Sequence, residues 1–370
     1  MINNLTNRAA QIMLDLITIN SPSGQEKRIR GELNERLKEL GFKVEIDAKG
    51  NLTGYLEATP SLKDKKALLF CAHMDTVPTA VNVRAKLNNN KIESDGTTAL
   101  GADDKAAIAA FLAAVENIKK ENIEHQPIIA LFTVEEEIGL EGIKKYDFTS
   151  IANIERGYVL DASGEVGTAI TSSPGKSDAT VIFHGKAAHA GFGPENGISA
   201  IMLAARAIDK MELLRVDEET TANIGTIHGG TTTNIVADRC ELTLEVRSST
   251  TERINRHLTH FEFCCIKAIN DFGGSYQFIT RELYQPYFID EADPTLNHFK
   301  TVCANLGINY QPKRTGGGSD ANIIRSKGID VITLAIGYEE AHTLSESIEL
   351  EQLEKLTALI VALCKPTGEI

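Results

Sequence analysis

The sequence predicts an α/β protein: a mixed, mostly parallel sheet covered by helices, with a smaller α+β domain inserted into it. Three observations carry this. Short apolar runs without alternation, Lys66-Ala-Leu-Leu-Phe-Cys-Ala72, Ile128 to Val134 and Arg156-Gly-Tyr-Val-Leu160, read as strands buried on both faces. After Thr171 the pattern changes to alternation, as in Arg239-Cys-Glu-Leu-Thr-Leu-Glu-Val-Arg247, the mark of a half-exposed and antiparallel sheet. From residue 288 onward the α/β texture returns. At 370 residues the chain also exceeds the usual size of a single core. The expected division is therefore 1–173 and 287–370 as two pieces of one domain, with 174–286 inserted between them.

Taken in order, residues 5–18 form an amphipathic helix closed by Ser21-Pro-Ser-Gly24, and a second helix spans 25–41 with apolar positions at 29, 33, 37 and 40. Residues 43–57 read as an outer strand or hairpin around Lys49-Gly-Asn51. Asp103 to Asn117 opens with acids and continues alanine-rich, which suits a helix N-terminus and its dipole. In the insertion, strand 178–185 precedes a helix over 197–212, strand 239–247, a helix over 251–271 and strand 275–285. Cys240, Leu242, Leu244 and Val246 share one face of their strand; Glu241, Thr243, Glu245 and Arg247 share the other. The last part alternates helix 293–306, strand 308–313, a glycine-rich turn, helix 319–327, strand 329–336 and helix 349–364.

Composition bounds the function classes. The formal charge is −13, from 38 basic and 51 acidic residues, which argues against nucleic acid or an anionic membrane as partner. No run approaches the ~20 apolar residues needed to span a bilayer, and the first twenty residues lack the charged and apolar regions of a leader. Six scattered cysteines without a C-x-x-C pair fit a reducing compartment, and a cytoplasmic location is expected.

The chemistry gathers at strand ends. One buried run terminates in Val134-Glu-Glu-Glu-Ile-Gly139, three adjacent carboxylates that repel one another unless something positive faces them. Another ends in His73-Met-Asp75, whose spacing points both side chains to one side of an extended chain. Leu100-Gly-Ala-Asp103-Asp104-Lys105 enters a helix, Val159-Leu-Asp161 ends a strand, and His342 follows the last strand. Each has an ordinary explanation alone. His73 and Asp75 can sit on the surface, paired acids complement a helix dipole, a strand-terminal aspartate starts turns, and a single late histidine is commonly structural. Together they bring His73, Asp103, Glu137, Asp161 and His342 to one rim of one sheet, where open α/β folds hold their sites. Carboxylates mixed with two imidazoles suit zinc, cobalt or manganese. One shared carboxylate, with one carboxylate and one imidazole per ion, makes a two-metal hydrolytic site. Asp75 is placed to orient the His73 ring.

These residues, with Gly101-Ala-Asp103-Asp104-Lys105 and Glu136-Glu137-Ile-Gly139, resemble the dizinc metallopeptidases that include aminoacylase, glutamate carboxypeptidase, succinyl-diaminopimelate desuccinylase and peptidase T. The likeness runs in order along the whole chain. Phe132-Thr-x-x-Glu-Glu-Ile-Gly139, Gly-Ala-Asp-Asp-Lys and Gly317-Gly-Ser-Asp320 lean towards peptidase T, the tripeptide aminopeptidase branch. The resemblance implies that Asp103 bridges two divalent ions, zinc first with cobalt or manganese as substitutes. His73 and Asp161 would complete one position, and Glu137 and His342 the other. Glu136 would take the proton of a bridging water, and Asp103–Asp104 would be a cis peptide. It further implies that the insertion is a lid and dimerisation domain. There, His189 in Lys186-Ala-Ala-His189-Ala-Gly191 would face the scissile carbonyl, in its own site or, in a homodimer, in a partner's. Asn234, Arg247, Gly318 and Ser319 resemble substrate-contact positions. Arg247 can equally pair with Glu245, and Gly318-Ser319 can equally lead into a helix cap. The expected activity is release of the N-terminal residue from tripeptides or other short peptides through a metal-bridging hydroxide. The alternatives are an amidohydrolase or carboxypeptidase acting on N-acylated amino acids, or a non-catalytic metal- or peptide-binding protein. The binder has no need of Glu136 beside Glu137.

Overall fold

The computed structural model describes residues 7–151 and 153–366, so positions 5 and 6 of the expected first helix lie outside the described residues. The chain forms two compact units. The first takes the chain up to Thr171, then Phe288–Arg314, then Ser319 onward; the second is Ser172–Tyr287 with Thr315–Gly318.

Unit 1 is built on a mixed sheet whose four central strands are parallel. In space they run Ile128–Thr133, Ala67–His73, Ile154–Ala162 and Val331–Ala335. Antiparallel strands flank them, Lys43–Ile46 and Leu52–Leu56 on one side and Thr168–Ser173 on the other. Every residue of Ala67–His73, Ile128–Thr133 and Val331–Ala335 is buried, which is why these strands carry no alternation. Asn7 caps the helix Arg8–Ile17 by accepting from the Ala10 amide at 3.0 Å. The helix Ala102–Lys120 buries 15 of its 19 residues between the sheet, Arg8–Ile17 and the C-terminal helix Leu350–Cys364. Its alanines permit that close approach, and Phe111 fills the middle, with its ring 5.5–6.2 Å from those of Phe42, Phe70 and Phe132. A small second sheet joins Lys86–Asn88, Lys91–Glu93, Ser347–Glu349 and Tyr338–Glu339.

Unit 2 is a five-stranded antiparallel sheet in the order Leu214–Arg215, Thr220–Gly229, Arg239–Ser248, Gly175–His184 and Ser275–Tyr284. The helices Ala200–Ile208 and Thr251–Phe272 cover one face over a core that includes Phe183, Leu242, Val246 and Phe261. Cys240, Leu242, Leu244 and Val246 all point inward, as the alternation predicts. All six cysteines are free and buried.

Several strands depart from the sequence expectation, among them Thr168–Ser173 and the short strands of the second sheet. Thr220–Gly229 was not anticipated, because a register shift between Ile224 and Thr226 interrupts its alternation and its second half is exposed on both faces. The strand expected at 308–313 forms only at Gln311–Arg314.

Candidate metal centre

Because the four central strands of unit 1 are parallel, their carboxyl ends share one rim, and the chain leaves each end carrying a chemical group. His73 is the last residue of its strand, and Asp161 is next to last in Ile154–Ala162. Glu135, Glu136 and Glu137 follow Thr133, and His342 lies in the loop after Val331–Ala335. Asp103 opens the buried helix after the left-handed Gly101 (φ 71°), and its peptide bond to Asp104 is cis.

These ends converge. His73 Nε2 lies 3.0 Å from Asp103 Oδ1 and 3.8 Å from Asp161 Oδ1. His342 Nε2 lies 3.3 Å from Asp103 Oδ2 and 2.9 Å from Glu137 Oε1. Two trios result, His73–Asp103–Asp161 and Asp103–Glu137–His342, each with its donor atoms within 4.8 Å of one another. Asp103 belongs to both and turns one oxygen towards each.

Asp75 organises this rim from behind. His73 Nδ1 faces the Asp75 carbonyl at 3.0 Å; a carbonyl only accepts, so the proton is on Nδ1 and the Nε2 atom is the one aimed at the carboxylates. The Asp75 carboxylate accepts from the Glu136 amide at 3.0 Å, the Glu137 amide at 3.2 Å and Ser23 Oγ at 2.7 Å. Burial opposes its charge, but His73, Ser23 and the Glu136 amide together hold its carboxyl below the ordinary range. The glutamate loop is pinned at its far end as well. Asn51 accepts from the Val134 amide at 3.2 Å and donates to the Gly142 carbonyl at 3.0 Å. A Cβ on Gly142 would meet the Val134 carbonyl oxygen at 2.0 Å, so the two chain segments touch.

The electrostatics are those of a crowd of carboxylates. Burial, then the charge of neighbouring Asp161, pushes Glu136 well above the ordinary range; burial with Asp103 and Asp104 does the same to Asp161. Against the pull of burial, Asp103 is held well down by His342 and His73. Asp103 and Glu137 lift His342 to about 10, and Asp103 with Asp75 lifts the buried His73 despite its desolvation. The two imidazoles thus carry the positive charge of the rim, and a cation bound there would displace those protons. The donor set suits divalent ions: two imidazole nitrogens and three carboxylates, with no thiol among them, since the Cys71 Sγ is turned to Asp320 at 3.6 Å.

Three further acids shape the rim: Asp104 and Asp320, which the sequence shows only as parts of motifs, and Glu346, which it leaves unread. Asp104 Oδ2 accepts from the His73 amide at 3.0 Å. Asp320 Oδ2 accepts from Thr133 Oγ1 at 2.6 Å. Glu346 accepts from the amides of Leu100, Gly101 and Asp103. The available signal was position, at the helix entry or the end of a selected loop, but an acid in such a place is ordinarily solvated. Glu135, the first of the three adjacent glutamates, pairs with Lys49 Nζ at 2.6 Å, and Glu339 pairs with Lys91 Nζ at 2.7 Å.

Within unit 2, His189 and Asn234 are neighbours. Their segments join through the His189–Ile235 bridge and the Ala190 amide, which donates to the Asn234 carbonyl at 3.0 Å. The amides of Gly191 and Phe192 donate to His189 Nδ1 at 3.1 and 3.2 Å, which leaves the ring proton on Nε2 of this exposed side chain. Arg247 pairs with both oxygens of Glu245, at 2.9 and 3.3 Å, and donates to the Gly316 carbonyl at 3.2 Å. The Tyr284 ring lies where a Gly318 side chain would be, 2.4 Å from its Cβ position. Ser319, in unit 1, is buried; with Asn322 it forms the capping box of the helix Asp320–Ser326, and its Oγ lies 3.1 Å from Thr333 Oγ1.

Residues 69–365 match the model of peptidase family M20/M25/M40, and the chain belongs to that family. It is 38% identical over 367 residues to the uncharacterised protein YqjE of Bacillus subtilis, covering 98% of this chain and 99% of that one. Among solved structures, it superposes on aminopeptidase PepT from Bacillus cereus with a TM-score of 0.88, at 36% identity and with 96% and 97% of the two chains covered. A tripeptidase from Staphylococcus aureus gives a TM-score of 0.91, also at 36% identity, with 97% of each chain covered.

Proposed function

We propose that this peptidase is a dizinc aminopeptidase that releases the N-terminal residue of tripeptides and other short peptides. The observation that carries the reading is the pair of donor trios sharing Asp103, with Glu136 directly beside the donor Glu137. The 36% identity to an aminopeptidase and to a tripeptidase supports the choice of substrate.

His73, Asp103 and Asp161 would hold one ion, and Asp103, Glu137 and His342 the other. Bound there, the pair supplies Lewis acidity that acidifies water and polarises the scissile carbonyl. Glu136 accepts the proton of the attacking water at its carboxylate and returns it to the leaving amine. Its half-buried position among other carboxylates raises its proton affinity, which suits a group that must both take and give a proton. Asp75 fixes the His73 ring and, through two amides, the course of the Glu136–Glu137 backbone. The reading gives the Nε2–H of His189 to the substrate carbonyl and Asn234 to the peptide backbone. It also gives unit 2 the contact of a homodimer, supported by the exposed Ile201 and Met202 on its first helix and Ile227 in the second half of the strand Thr220–Gly229.

Glu136→Gln tests the central role. Turnover should fall by about 10²–10⁴-fold, the range for a lost general base, while metal content stays near that of the unaltered protein. Full activity in that variant would sink the assignment. Free-amine tripeptides assayed against N-acylated amino acids test the substrate class, and cleavage of blocked substrates alone would overturn the aminopeptidase reading.

A further inference from the structure

Glu346 stands outside both donor trios, yet it joins the loops that carry them. The residue is 1% exposed. Oε2 accepts from the amides of Leu100 and Gly101, each at 2.9 Å, and Oε1 accepts from the Asp103 amide at 3.0 Å. These amides form the turn that enters the buried helix and carries Asp103 on its last step. Glu346 itself lies four residues beyond His342, in a segment that turns through left-handed Glu340 (φ 53°) and His342 (φ 67°). One carboxylate therefore ties the loop of one donor to the loop of another.

The two trios do not depend equally on this tie. His73 and Asp161 sit on central strands: His73 is in register opposite Thr133, and Asp161 lies at a bulge between Leu160 and Ala162, both of which pair with the neighbouring strand Val331–Ala335, so the ladder holds the chain at or on either side of each. Glu137 and His342 sit on loops, and the His342 side chain is 47% exposed. Asp103 reaches the first trio through its contact with His73, whereas its alignment with His342 needs two loops to keep one geometry. An amide in place of the carboxylate would set an NH2 group against at least one backbone N–H, because two oxygens accept here and an amide offers one.

We propose that Glu346 is a positioning residue that sets the affinity of the Asp103–Glu137–His342 position for a divalent cation, leaving the His73–Asp103–Asp161 position to its strands. The inference rests on the two-metal reading of the rim. The test is zinc titration of metal-stripped protein by calorimetry, with cobalt absorption as a second probe and deuterium exchange of the metal-free chain alongside. In Glu346→Gln the first equivalent should bind as in the unaltered protein, and the second should weaken about 10–100-fold, the usual loss when a ligand's support is removed. The amides of Leu100, Gly101 and Asp103 should exchange faster, which substitution of a ligand such as Glu137→Gln should not cause. Glu346→Asp, one methylene shorter, should fall between the two and serves if Glu346→Gln folds poorly. Unchanged affinity for both equivalents, or equal weakening of both, overturns the inference while the two-metal reading stands. Fewer than two equivalents in the unaltered protein overturns both.

Discussion

Asp75 shows how much a single residue can organise. It meets His73 through its carbonyl and three other donors through its carboxylate, so it links a donor at one strand end to the glutamate loop at the next. Asp75→Asn keeps the shape but replaces one acceptor oxygen with an NH2 group that faces a donor. Metal affinity or turnover should fall about 10–100-fold, with kcat affected more than KM; a loss confined to KM would count against a positioning role. The residue scale also shows what a single sequence leaves unread. His73, Asp103, Glu137, Asp161 and His342 were legible because each lies where an apolar run stops or a helix opens. Glu346 was not, since an acid turned inward and an acid turned to water look alike until the surrounding chain is placed.

At the scale of elements, one contact makes a pH prediction. Tyr158 Oη on the strand Ile154–Ala162 is hydrogen-bonded at 2.8 Å to His298 Nδ1 on the helix Pro294–Asn305. His298 is 7% exposed. Burial, helped by the Arg156 charge, lowers its pKa to about 4. The native chain therefore stays neutral there while the unfolded chain takes up a proton below its ordinary value of about 6.5. Stability is retained above that value and lost as the pH falls towards 4, by up to about 3 kcal/mol from this group. Urea unfolding of His298→Gln should show a shallower decline across that window; parallel curves for variant and parent would refute the assignment. The buried parallel strands were readable for the same reason that His298 is neutral, since the core covers both faces of the sheet. Thr220–Gly229 was not, because a bulge and an exposed half leave no period to read, and the strands of the small sheet are only two or three residues long.

At the scale of the molecule, unit 1 and unit 2 each have a core, but both candidate donor trios among the described residues lie in unit 1. Chelation should lower the melting temperature, and a cation at a hundred times its dissociation constant should restore about 2.7 kcal/mol per site. If calorimetry resolves two transitions, only one should move with metal; a midpoint indifferent to chelator and metal would speak against the centre. Among the described residues no helix is long and apolar enough to cross a membrane. The change of strand pattern after Thr171 and its return from residue 288 are what point to an inserted unit in the sequence, and no pattern there marks a later return of the chain to it. Thr315–Gly318, remote in sequence, belongs with unit 2.

That short return of the chain has a practical consequence for anyone recombining such proteins. Arg247 and Ser173 hold the Gly316 and Gly317 carbonyls, and Tyr284 lies against Gly318. A cassette cut at 174 and 286 would leave behind the tetrapeptide that caps its own sheet. Chimeras that exchange unit 2 between relatives should therefore tolerate the graft only when residues 315–318 travel with it.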